Sequence, residues 1–158
     1  MRLIIGISGA SGTIYAVKLL EALKDMNVET HLIITKTAEE ILKFENELSK
    51  GDLKKLANQF YEENDLKALI TSGSYKTDGM IIIPCSMKTL AGVALGYSSN
   101  LILRAADVTL KEKRPLILVV RETPLNLIHL ENMVKAAKAG AIIFPASPAF
   151  YHKPKTIN

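Results

Sequence analysis

Apolar residues gather into five short runs, Leu3–Ile7, Thr30–Ile34, Met80–Ile83, Leu116–Val120 and Ala141–Phe144, several of them nearly unbroken. Strands covered by helices on both faces carry such runs, as in parallel sheets. Between the runs the spacing lengthens to a helical period: Ile14, Val17, Leu20 and Leu23; Ile41, Glu45 and Leu48; Leu90, Ala91, Ala94 and Leu95; Leu127, Leu130, Met133, Val134 and Ala137. Strand alternating with helix predicts an α/β fold with a doubly wound, mostly parallel sheet in three layers. Residues 49–75 are the most polar and least regular, and read as a helix and a loop leading to TSGSYKTDG. A chain of 158 residues fits one domain, 1–158, without internal repeats or a low-complexity linker.

In open α/β sheets, ligands sit beyond the carboxyl ends of the strands, near the point where strand order reverses. SGASG follows the first predicted strand, Thr35-Lys36 the second, PCSMKT the third, RETP the fourth and PASPAFY the fifth. Hydroxyls, an arginine and a carboxylate would therefore converge on one rim. Loops are polar everywhere, but polar groups at five consecutive strand ends favour a binding site.

The opening stretch GISGASGTIYAVKLLEAL reads as strand end, glycine turn and helix. The unpaired N–H groups at such a helix start can hold an anion. Glycines at 6, 9 and 12 fit neither G-x-G-x-x-G nor the nucleotide loop G-x-x-x-x-G-K-[ST], and no lysine follows Gly12. A single phosphate monoester, held by backbone and by the Ser8 and Ser11 hydroxyls, is one reading; close packing of helix on sheet is the other. PCSMKTLAGVAL repeats the logic, with Ser86 opening an apolar-periodic helix, so two helix N-termini could share one phosphate. Plain capping by Ser86 and Thr89 is the alternative. Arg121 beside Glu122 offers a planar fork suited to phosphate. Glu45 lies in line with Ile41 and Leu48. Buried there, it needs a partner or a raised pKa, and becomes a candidate proton carrier; in the last turn of a fraying helix it is simply exposed. Arg104, Asp107, Lys111 and Glu112 read as a solvated helical face with i,i+3 and i,i+4 pairs, or as a reach of Arg104 or Lys111 into a phosphate pocket across a subunit boundary.

Composition narrows the classes. With 48% hydrophobic and 23% charged residues the chain is globular in type. Its formal charge of +4 suits a phosphate-bearing small ligand, without the dense basic stripe of a nucleic-acid binder. Cys85 is the only cysteine, and His31, His129 and His152 lie far apart, which argues against a metal site and a disulfide framework. His31 falls inside a strand pattern and reads as a satisfied core residue; Cys85 reads as a small buried one. No stretch approaches a membrane span or a signal peptide, so the cytoplasm is the expected compartment.

The segments GISGASGTIYAVKLLEAL, ITSGSYKTDGMIIIPCSMKTLAG, NLILRAADVTLKEKRPLILVVRETPLNLIHLENM and GAIIFPASPAFYHKPKTI together resemble the flavin prenyltransferase family, the UbiX-type enzymes once described as hydroxybenzoate carboxy-lyases. PCSMKTLAG, RAADVTLKE and RETPL, in this order, carry most of its specificity. The resemblance implies a Rossmann-like or flavodoxin-like sheet, FMN as reduced prenyl acceptor, and a homododecamer with sites between subunits. It implies transfer of a dimethylallyl group from dimethylallyl monophosphate to N5 and C6 of FMN without a metal, giving the prenylated FMN used by a UbiD-type decarboxylase. Gly9, Ala10, Ser11, Thr35, Ser86, Met87, Lys88, Thr89 and Arg121 would then hold FMN. Arg104, Lys111, Arg121 and Tyr151 would meet the donor phosphate, and Ser11, Glu45 and Glu122 would assist phosphate departure and proton transfers. Family chains continue past FYHKPKTI into a further helix, which is expected to be missing here. The alternatives are an FMN-dependent cysteine-decarboxylase-like flavoprotein, against which the strand position of His31 counts, and a flavin-binding module without catalysis.

Overall fold

β1 (Arg2–Ile7) and β2 (Glu29–Ile34) pair in parallel, with Ile4 opposite His31 and Ile7 opposite Ile34. The computed structural model describes residues 1–148 and 151. β3 (Gln59–Glu62), β4 (Gly79–Cys85), β5 (Leu116–Val120) and β6 (Ile142–Pro145) complete a six-stranded, all-parallel sheet in the order β3-β2-β1-β4-β5-β6. The order reverses between β1 and β4, and that switch point sits at the loops after the two strands.

Successive strand residues face opposite ways, so each strand feeds two cores. Ile5, Ile7, Leu32 and Ile34 pack with Ala16, Val17, Leu20 and Leu23 of α1 (Thr13–Asp25) and Leu42 of α2 (Lys36–Asn46), joined by Leu53 of the short α3 (Lys50–Lys54). Ile4, Ile33, Met80, Ile82 and Leu118 face Leu90 of α4 (Met87–Leu95), Ile102 and Ala105 of α5 (Leu101–Lys111) and Ala136 of α6 (Leu127–Lys138). The expected three layers are present.

The sheet has one strand more than the hydrophobic pattern predicts. β3 is a four-residue edge strand in which Gln59 and Glu62 are exposed and only Phe60 and Tyr61 are half-buried. So short an edge leaves no apolar run. His31 is 1% exposed, with Nδ1 2.9 Å from the Tyr61 hydroxyl and Nε2 3.0 Å from Glu29 Oε1. It is the satisfied core histidine expected from its strand position. Cys85 is buried too, and burial pushes its thiol up to about 12.

Side chains cap five helices: Thr35 for α2, Ser49 for α3, Ser86 for α4, Asn100 for α5 and Asn126 for α6. α1 starts differently. Its cap is Gly12, at φ 95°, which has no side chain to offer.

Candidate active site

The loops after β1 and β4 are tied together where the strand order reverses. Ser8 donates its hydroxyl to the Pro84 carbonyl at 2.9 Å and accepts the Ser86 N–H at 2.8 Å. Ser86 in turn accepts the Thr89 N–H at 3.3 Å and donates to Thr89 Oγ1 at 3.1 Å. The N–H groups of Met87 and Lys88, in the first turn of α4, have no carbonyl within the helix to receive them. A cleft of about 310 Å³ opens there, bringing together Gly9, Thr35, Ser86, Met87, Lys88, Thr89 and Glu122. Thr37, Glu63, Asn100 and Leu103, which sequence reasoning missed, line it as well. Thr37 and Asn100 carried a signal, the first as part of Thr-Lys-Thr at a strand end and the second as an asparagine opening an apolar period. Glu63 follows the strand that the pattern did not reveal.

Several helix starts border this rim, and at two of them a carboxylate of the chain accepts a backbone N–H. Glu63 accepts the Lys36 N–H at 3.1 Å, next to the Thr35 cap on Ala38. At α1, Glu45 Oε2 accepts the N–H of Gly12 at 2.9 Å, the N–H of Thr13 at 3.2 Å and the Thr13 hydroxyl at 3.1 Å. The anion at the glycine turn is therefore a carboxylate of the chain itself. A phosphate shared by α1 and α4 would have to displace Glu45, whereas the first-turn N–H groups of α4 face the cleft without such a carboxylate.

Glu45 also departs from the buried alternative. It is exposed in the last turn of α2, beside Ser11, Gly12, Ile14, Asn46 and Leu48 in an open cavity of about 550 Å³. Partial desolvation raises its pKa, but hydrogen bonds from the Ser11 hydroxyl, the Gly12 and Thr13 N–H groups and the Thr13 hydroxyl outweigh that and hold it below the ordinary carboxylate value. Glu45 at neutral pH is an acceptor, not a stored proton.

Past the cleft, Arg121 and Glu122 border a third cavity of about 410 Å³ with Thr123, Met133, Ala146 and Ser147. Glu122 belongs to both cavities. Its carboxylate accepts the Thr123 N–H at 2.9 Å. Gly9 fits the cleft only as glycine: a Cβ would stand 2.7 Å from Thr37 Cγ2. The Thr37 side chain fills the space that a Cβ would need, so Gly9 serves close packing of the two loops; the first-turn N–H groups of α4 and the flanking hydroxyls make the cleft fit for a phosphate-bearing molecule.

The family model described as Flavoprotein matches residues 1–156. "Flavin prenyltransferase UbiX" of Escherichia coli (strain K12) is 51% identical over 158 residues, covering 99% of this chain and 84% of the relative. The chain belongs to the flavin prenyltransferase family. A crystal structure of AnUbiX (PadA1) in complex with FMN and dimethylallyl pyrophosphate matches with a TM-score of 0.97 at 48% identity, over 99% of this chain and 83% of that one. A dodecameric FMN-dependent UbiX-like decarboxylase from Escherichia coli O157:H7 also matches at 0.97, with 51% identity over 99% and 85%.

Other residues that the flavin prenyltransferase resemblance selected lie elsewhere within one protomer. Ala10 is half-buried in the loop between Gly9 and Ser11. Arg104, on α5, pairs with Asp107 at 2.9 Å. Lys111 ends α5 at the amino side of the sheet, where it pairs with Glu112. It lines a separate cavity of about 360 Å³ between α4 and α5. Tyr151 is exposed beyond β6. Among the described residues, no helix is long and apolar enough to cross a membrane.

Proposed function

We propose that this chain is a flavin prenyltransferase that joins a dimethylallyl group from dimethylallyl monophosphate to N5 and C6 of reduced FMN. One observation carries the reading: the first-turn N–H groups of α4 open into the cleft shared by Gly9 and Glu122, whereas the Gly12 and Thr13 N–H groups at the start of α1 are taken by Glu45.

Ser86, Thr89 and the first-turn N–H groups of α4 would bind the FMN phosphate, with Thr35 beside them. Gly9, Ala10 and Ser11 would border the flavin, whose reduced ring supplies the nucleophilic N5 and C6. Arg121 would face the donor phosphate, aiming its guanidinium at the charge that grows as the allylic C–O bond ionises. Ser11 and Glu45 would take up a proton on one side, and Glu122 would serve on the other. Arg104, Lys111 and Tyr151 complete the donor site in this reading. Lys111 is at the far end of its own sheet, so it would act in the site of a neighbouring subunit. That arrangement requires the homo-oligomer, a dodecamer like the related E. coli protein. The product would serve a UbiD-type decarboxylase, and the cytoplasm, where a lone thiol stays reduced, would be the place of work.

The test is anaerobic. The protein is incubated with FMN, dithionite and dimethylallyl monophosphate, or the pyrophosphate in parallel, and the extracted flavin is weighed by mass spectrometry. A gain of one C5H8 unit is expected; flavin of unchanged mass with both donors contradicts the assignment.

A further inference from the structure

The start of α1 holds a hydrogen-bonded group that the glycine turn alone does not explain. Thr13 is 0% exposed, and its Oγ1 lies 3.1 Å from Glu45 Oε2 and 2.9 Å from Asn46 Oδ1. A threonine hydroxyl has one proton and two lone pairs. Lying between two oxygens, it can donate to only one of them at a time.

Two arrangements give the Thr13 hydroxyl both a donor and an acceptor. With Glu45 ionised, the Thr13 proton points to Glu45, and Asn46 turns its amide N–H toward the Thr13 oxygen. With Glu45 protonated, the carboxyl O–H donates to Thr13, and Thr13 donates to Asn46 Oδ1. Both use the same three side chains, differing in a hydroxyl rotation and an amide turn. The Gly12 and Thr13 N–H groups serve the carboxylate form. Around the cavity that opens here, Ser11, Gly12, Ile14, Asn46 and Leu48 bring no ionisable group, so Glu45 is the titrating member of the set.

We propose that Thr13, with Asn46 behind it, is a positioning residue for Glu45: its hydroxyl proton turns between the two partners so that Glu45 can take up and return a proton without leaving the start of α1. The proposal rests on the reading of Glu45 as a proton carrier in prenyl transfer. Simple capping would use Thr13 in one orientation only and would have no bearing on turnover.

The experiment follows the Glu45 carboxyl by 13C NMR across pH in the assembled protein, with Glu45→Gln identifying the signal, and records kcat over the same range. Thr13→Val removes the hydroxyl at nearly constant shape; Thr13→Ala needs less space and serves if valine does not fold; Thr13→Ser restores the hydroxyl. Loss of the hydroxyl is expected to move the Glu45 titration to higher pH. The acid limb of kcat should move with it, lowering turnover at pH 5 relative to pH 8 by roughly threefold or more, the weight of one hydrogen bond to an ionised group. FMN affinity should stay, and Thr13→Ser should return both curves. An unmoved titration in both hydroxyl-free variants overturns the proposal. A titration that moves while the kcat profile does not would instead remove Glu45 from the reaction, and the role of Thr13 in catalysis with it.

Discussion

Glu122 stands on the wall between two cavities, with Arg121 beside it and the α4 helix start across the cleft. A carboxylate so placed can exchange a proton with a molecule bound in either cavity, whereas the proposed phosphate seat is made of other groups. Glu122→Gln is therefore expected to leave FMN affinity within about twofold, while prenyl transfer slows by roughly a hundredfold, the lower range for a lost acid–base group. Flavin titration and single-turnover mass analysis read the two effects separately, and unchanged turnover would remove Glu122 from the mechanism. Glu122 was legible from sequence because it directly follows an apolar strand. Glu45 was legible as a residue but not as a state: its spacing with Ile41 and Leu48 suggests burial, and only the fold brings Gly12 and Thr13, more than thirty positions away, to its carboxylate. Thr13 itself carries no signal in the pattern, since a threonine at a helix start is ordinary.

At the scale of elements, the strands with unbroken apolar runs were all readable, since β1, β2, β4 and β5 lie inside the sheet and β6 begins beside Ala141. β3 was not. It gains its place from pairing with β2, His31 opposite Gln59 through Ile34 opposite Glu62, rather than from burial of its own side chains. α5 read as a charged face, which it has, but its other side carries Leu101, Ile102, Ala105, Ala106 and Val108 into the core. The Asn100 side chain starts that helix by accepting the Leu103 N–H at 3.0 Å, and it also borders the cleft. Asn100→Ala should lower stability by about 1 kcal/mol, the usual weight of a lost cap, as read from the urea midpoint at unchanged slope. A midpoint identical to the parent would mean that water replaces the cap at no cost.

Across the whole molecule, the carboxyl rim sets carboxylates of the chain at two helix starts, Glu45 at α1 and Glu63 at α2, and leaves the first turn of α4 facing the cleft without one. The formal charge of +4 is compatible with such a guest without being needed for it. Arg104 and Lys111, which sequence alone could place either on a solvated face or in a phosphate pocket, pair with acidic neighbours on their own helix and at its end, and the proposed donor role of Lys111 depends on assembly. The sequence raised that possibility across a subunit boundary, but the pattern alone could not choose it over the solvated face. The central claim is that the α4 helix start is the phosphate seat of a flavin. Its most direct measurement compares the dissociation constants of FMN and riboflavin by quenching of flavin fluorescence, because the two differ only in the phosphate. The account predicts riboflavin binding weaker by roughly a hundredfold or more, the worth of two charge-assisted hydrogen bonds at the low end of their range. Equal affinities would contradict it.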